Sequence, residues 1–133
     1  MNAISQPIVA VVDDDPRVRE SLESLLESAG VKARVFSAAE DFLHGDLFSA
    51  TSCLITDVRM PGMDGLELQR RVRLERPELP VIFITAHQDE ATEQRAFAQG
   101  AAFFFHKPFD ASALVRAIKL ALSKPAGNIE NAH

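Results

Sequence analysis

The chain has 133 residues, 47% of them hydrophobic, and a formal net charge of −5. That length supports one full core and is short for two domains, and the acidic balance argues against a surface built for nucleic-acid phosphates, which needs clustered Lys and Arg. A lone Cys53 excludes a disulfide framework, and no run reaches the roughly 18 apolar residues of a membrane span, so a cytoplasmic protein with no membrane partner is expected.

Residues 1–6 show neither a basic leader nor a long apolar run and are expected to be a disordered N-terminus. Pro7 precedes a first apolar strand, Ile8-Val9-Ala10-Val11-Val12, which ends in three acids, Asp13, Asp14 and Asp15. Asp15-Pro16 has the form of an N-cap followed by the first helical residue. The helix it opens carries Val18, Leu22, Leu25, Leu26 and Ala29 on one face and stops at Gly30.

Residues 31–36 alternate Val31, Ala33 and Val35 with Lys32 and Arg34, the pattern of a strand near a sheet edge. Ser37 and Glu40 have capping-box spacing and predict a short helix through Phe42 and Leu43, broken at Gly45, with 46–51 as connecting loop. Cys53-Leu54-Ile55-Thr56 reads as a strand buried on both faces, with Cys53 a small core residue, and it delivers Asp57 to a loop marked by Pro61-Gly62 and Asp64-Gly65. Asp64 and Glu67 then have N-cap and N3 spacing for a third helix with Leu66, Leu68, Val72 and Leu74 as apolar positions. Its arginines, Arg70, Arg71, Arg73 and Arg76, read as a solvated face.

Beyond Pro77 and Pro80, Val81-Ile82-Phe83-Ile84 predicts a fourth strand that ends in Thr85-Ala86. Residues 88–99 offer only Ala91, Ala96, Phe97 and Ala98 as apolar positions, so the fourth helix is expected to be weakly anchored before Gly100 ends it. A fifth strand, Ala102 to His106 through three phenylalanines, leads to Lys107-Pro108-Phe109. Asp110 is placed to cap a last helix with Leu114, Val115, Ile118, Leu120, Ala121 and Leu122. Residues 124–133 read as a solvated tail or the start of a linker. Five strands alternating with five helices predict an α/β fold, a parallel sheet with helices on both faces.

An acid after a strand is by itself most often a cap or a turn residue. Here the strand ends deliver Asp13, Asp14, Asp57, Thr85 and Lys107 to one edge, where open parallel sheets bind ligands. Converging carboxylates repel unless a cation neutralises them, and hard oxygen donors without His or Cys at ligand spacing favour Mg2+ over zinc. Mg2+ with free positions points to phosphoryl chemistry, and no Gly-x-x-x-x-Gly-Lys-Ser/Thr loop is present to cradle a nucleotide. There remains a carboxylate nucleophile that forms an aspartyl phosphate, with Lys107 as a point charge and Thr85 as a hydroxyl donor to its oxygens.

The runs Val12-Asp13-Asp14, Asp57-Val58-Arg59-Met60-Pro61-Gly62-Met63-Asp64-Gly65, Thr85-Ala86 and Lys107-Pro108-Phe109 resemble those of response-regulator receiver domains of bacterial two-component systems, most closely receivers that precede a helix-turn-helix output domain. The resemblance implies a receiver over 7–123, a flavodoxin-like, doubly wound sheet of order 2-1-3-4-5, and Asp57 as acceptor of a phosphoryl group from a sensor histidine kinase. It further implies that Asp14, Asp57 and the backbone carbonyl of Arg59 ligate Mg2+ while Asp13 acts mainly through water on the ion, and that Thr85 and Phe104 are the switch hydroxyl and aromatic. Pro108 often follows a cis peptide in the family, and His106 is a packed strand-end residue. Arg59 and His87 occupy positions that border the path of the hydrolytic water, where they are expected to tune dephosphorylation or else to be plain exposed polar residues. The expected output face is helix four, strand five and helix five, used for homodimerisation or for a covalently linked output domain, probing no nucleic acid directly. Catalysis would be limited to the chain's own phosphotransfer and autodephosphorylation. One rival is an aspartyl-phosphate phosphatase, which usually has a general-acid Asp where Arg59 stands; the other is a phosphate-independent adaptor, which typically lacks Asp57 or Lys107.

Overall fold

The computed structural model describes residues 6–123, so the expectations for residues 1–5 and 124–133 lie outside the described residues. The chain alternates β1 (Ile8–Val12), α1 (Pro16–Ser28), β2 (Lys32–Phe36), α2 (Ala39–Leu43), β3 (Thr51–Thr56), α3 (Gly65–Glu75), β4 (Val81–Thr85), α4 (Glu90–Ala98), β5 (Phe103–His106) and α5 (Ala111–Ser123). All strand pairs are parallel, in the order β2-β1-β3-β4-β5, as expected.

The strands divide the core by residue parity, because successive side chains point to opposite faces. Val9, Val11, Cys53, Ile55, Ile82 and Ile84 pack with Leu22 and Leu26 of α1 and Leu114, Ala117 and Ile118 of α5. Ala10, Val12, Leu54, Val81 and Phe83 pack with α2, α3 and α4 through Phe42, Leu68, Val72 and Ala96. Each fully buried Leu, Ile or Phe contributes about 1.5–3 kcal/mol, and the burial of β1, β3 and β4 on both faces makes them the rigid floor of the strand-end edge. The edge strands β2 and β5 keep half-exposed residues, as alternation in β2 predicts.

The start signals act largely as the sequence predicts. Asp15 accepts from the Arg17 amide with Pro16 at the first helical position, and Asp64 accepts from the Glu67 amide. Gly30 and Gly100, with φ of +80° and +98°, turn the chain after α1 and α4.

Several expectations fail for lack of a local cause. The capping box at Ser37 does not form; Ala38 is the N-cap of α2 and no side chain caps it, since Glu40 reaches instead towards the Met63 amide. Thr51 belongs to β3, paired with Ile8, and not to the loop. Strand five begins at Phe103, one residue after Ala102. Leu74 is 71% exposed and Leu120 56%, because each falls off the arc its helix turns to the sheet. The inward position on α3 is taken by Gln69, 1% exposed. Arg76 is no solvated residue either: its guanidinium donates to the carbonyls of Phe48 and Thr51, both at 2.7 Å, and ties the end of α3 to the start of β3.

Candidate functional site

Parallel pairing brings the predicted residues to one edge because it aligns the carboxyl ends of the strands. Val12 pairs with both Phe36 and Thr56, and the Asp57 amide donates to the Val12 carbonyl at 3.2 Å, so Asp13 and Asp57 leave adjacent strands side by side. Thr85 pairs with His106, and the Lys107 amide donates to the Thr85 carbonyl at 2.8 Å, which places Lys107 and Thr85 at the next strand ends. The Lys107–Pro108 peptide is cis.

Carboxylate oxygens of Asp13, Asp14 and Asp57 all lie within 4.8 Å of one another. The Lys107 ammonium stands 3.4 Å from Asp57 Oδ2 and 3.5 Å from Asp13 Oδ2. Asp14 is exposed, Asp57 is half-buried and Asp13 is enclosed. Burial pushes the Asp13 carboxyl above the ordinary carboxylate value; the Asp15 amide and Lys107 oppose this, while the Asp57 carboxylate adds to it. Three carboxylates facing one ammonium form a hard oxygen donor set with surplus negative charge, and they fit a divalent cation of the Mg2+ class.

The other polar ends of the acids are fixed by the chain. Asp13 Oδ1 accepts from the Asp15 amide at 2.9 Å, its carbonyl accepts from Arg19 at 2.8 Å, and Asp57 Oδ1 accepts from the Val58 amide at 2.6 Å. Thr85 is buried and its Oγ accepts from the His87 amide at 3.1 Å. The loop after Asp57 folds back so that the Gly65 amide donates to the Val58 carbonyl at 2.7 Å. A Cβ on Gly65 would strike the Asp57 carbonyl oxygen, so only glycine lets α3 start this close to the acid.

Not every predicted residue joins the cluster. The Arg59 side chain leads to Asp89, N-cap of α4, with Nη2–Oδ2 at 3.9 Å. His87 has an exposed side chain and is tied in through its backbone. Phe104 is half-buried on the α4 side of the sheet, its ring 5.7 Å from that of Phe83 and 6.3 Å from that of Phe97. His106 packs against Phe104 with ring centroids 5.4 Å apart, as a strand-end residue should. Sequence reading missed Arg19, Asp89 and Gln69. Nothing in the sequence ties Asp89 to Arg59.

A family model described as the response regulator receiver domain matches residues 9–119. The chain belongs to the response regulator receiver domains. This receiver is 41% identical over 127 residues to the response regulator protein TmoT of Ectopseudomonas mendocina, covering 96% of the chain and 58% of that protein. It is 41% identical over 118 residues to the transcriptional regulatory protein FixJ of Azorhizobium caulinodans, covering 89% of the chain and 56% of that protein. The solved structure of the response regulator StyR superposes with a TM-score of 0.81 at 44% identity, over 89% of the chain and 60% of StyR. The receiver thus spans somewhat more than half the length of these relatives. Among its described residues no helix is long and apolar enough to cross a membrane.

Proposed function

We propose that this receiver is a phosphorylation-activated switch, with Asp57 as acceptor of a phosphoryl group from the phosphohistidine of a sensor histidine kinase. The observation that carries the reading is the Asp57 carboxylate held between the Lys107 ammonium, 3.4 Å away, and the acids Asp13 and Asp14 at one sheet edge. A carboxylate oxygen of Asp57 attacks phosphorus, the P–N bond breaks, and its electron pair leaves with the donor imidazole. Lys107 neutralises phosphoryl oxygens as charge moves onto Asp57, and the Thr85 hydroxyl turns from the His87 amide to donate to one of them. Asp14, Asp57 and the Arg59 carbonyl would hold Mg2+, with Asp13 acting through water. When bound, the ion supplies charge neutralisation at the phosphoryl oxygens. The chain catalyses only its own phosphotransfer and autodephosphorylation, and Arg59 and His87 set how long the phosphoryl group lasts.

Residues 7–123 form the receiver, and 124–133 lead towards a covalently linked output domain. That reading draws support from the regulators TmoT and FixJ, both longer than the chain. Thr85 and Phe104 pass the phosphorylated state to α4, β5 and α5, which then dimerise or dock the output domain, as a regulator of transcription in the cytoplasm would require. A phosphatase reading is disfavoured by Arg59, which cannot donate a proton at neutral pH where such enzymes place an acid.

Incubation with acetyl phosphate and Mg2+ followed by intact mass is expected to show one phosphoryl adduct that is absent from Asp57→Asn. Sustained release of phosphate from an added phosphoester, with no adduct, would overturn the assignment. Alanine at Arg59 or at His87 is expected to change the adduct's decay rate, and unchanged decay in both variants would remove their tuning role.

A further inference from the structure

The two ends of α4 are held by different kinds of force. Ala96 is the one residue of α4 that is buried. Beside it, the enclosed Gln69 of α3 donates Nε2 to the Ala96 carbonyl at 2.9 Å and accepts from Gln99 Nε2 at 2.8 Å. The Ala96 carbonyl also receives the Ala101 amide at 2.9 Å, so three bonds gather where α4 turns at Gly100 towards β5. Opening this clasp would leave an enclosed amide without partners, which makes it costly to break.

The opposite end has no such anchor. Asp89 caps its own helix by accepting from the Ala91 amide at 3.1 Å and the Thr92 hydroxyl at 2.8 Å. Its tie to the rest of the molecule is the 3.9 Å ion pair with Arg59, whose side chain is 57% exposed. One turn on, Glu93 meets His106 at 3.8 Å in a similar half-exposed contact. Exposed pairs of this kind are weak and screened.

We propose that α4 is a lever, pinned by Gln69 at Ala96 and loosely latched by Arg59 at Asp89. A phosphoryl group on Asp57 competes for the Arg59 guanidinium, which favours a dianionic oxygen cluster over a single carboxylate, and frees the Asp89 end while the clasp holds. Gln69 is then a positioning residue that decides which end moves. This inference rests on the reading of Asp57 as phospho-acceptor.

The test is amide hydrogen exchange on the full chain, before and after acetyl phosphate and Mg2+, with intact mass recorded on each sample. Phosphorylation should change exchange at residues 89–94 and spare 96–100. In the unphosphorylated protein Arg59→Gln removes the ion pair and leaves the Asp89 cap intact, whereas Asp89→Asn removes the pair together with the carboxylate oxygen that accepts from the Thr92 hydroxyl. Arg59→Gln should speed exchange at 89–94 by about two- to five-fold, the scale of one exposed pair, Asp89→Asn by more because a cap bond is lost too, and both should leave 96–100 unchanged. Gln69→Leu should speed exchange at 96–100 and let the phosphorylation response run along the whole helix; should that variant not fold, Gln99→Leu cuts one bond of the clasp for the same comparison. An equal response along α4 in the wild-type adduct, or no effect of Arg59→Gln, overturns the lever. Absence of any adduct removes the trigger together with the acceptor reading, and the mass spectrum tells that failure from a failed lever.

Discussion

Asp13 carries the sharpest conflict at the scale of single residues, being enclosed beside two other carboxylates with the Asp15 amide and a shared lysine to offset them. Because its folded-state pKa is raised above the ordinary 3.8, the fold binds its proton more tightly than the unfolded chain does. The stability this provides is complete below 3.8 and is lost as pH rises through the folded value. Asp13→Asn should therefore stabilise the metal-free protein at neutral pH, by about 1–3 kcal/mol on the scale of a buried polar imbalance. In urea titrations the gap between variant and wild type should widen as pH is raised from acid to neutral. The same variant should lose most of the stabilisation that Mg2+ gives the wild type, about 2.7 kcal/mol at a hundredfold excess over Kd. A pH-independent gap would mean that burial does not penalise this carboxylate. Gly65 sets the second residue-scale expectation: Gly65→Ala forces Cβ into the Asp57 carbonyl and should slow adduct formation by shifting the acid, even where circular dichroism shows a folded chain.

Among the elements, α3 separates what a helical pattern reveals from what it conceals. Leu68 and Leu74 look alike in sequence, yet one is fully buried and the other 71% exposed. Leu68→Ala should cost about 2–5 kcal/mol in urea denaturation, by transfer and cavity terms together. Leu74→Lys should stay within about 0.5 kcal/mol, as surface changes do. A comparable loss in both would mean that α3 is rotated from the position described. The same helix hides Gln69 among its apolar positions, where a polar residue reads as solvent-facing until its partners on α4 are known. For α4, the sparse apolar pattern correctly foretold weak anchoring, but not that the anchoring is confined to one end.

Two core clusters on opposite faces of one sheet unite the described residues and leave the candidate site as a rim at the strand ends. Away from that rim, Phe97 and Leu120 are 46% and 56% exposed on α4 and α5, elements of the proposed output face. If phosphorylation closes a dimer over this face, sedimentation velocity should show wild-type adduct moving from monomer to dimer. Phe97→Glu with Leu120→Glu should remain monomeric while staying folded, with its urea midpoint lowered only by the lost contact of Phe97 with Phe104. Undiminished dimerisation of the double variant would place the contact elsewhere.

The order of elements, the caps at Asp15 and Asp64 and the convergence of Asp13, Asp14, Asp57, Thr85 and Lys107 were legible from the chain alone. These features depend on near neighbours in sequence and on the rule that parallel strands end together, both of which survive without coordinates. Only the tertiary structure could decide that Leu74 and Leu120 face out, that Ser37 caps nothing, that Gln69 clasps α4 and that Arg59 reaches Asp89. Each of those outcomes turns on the angle at which a helix meets the sheet or on two side chains from distant elements meeting, and such long-range packing leaves no trace in local spacing.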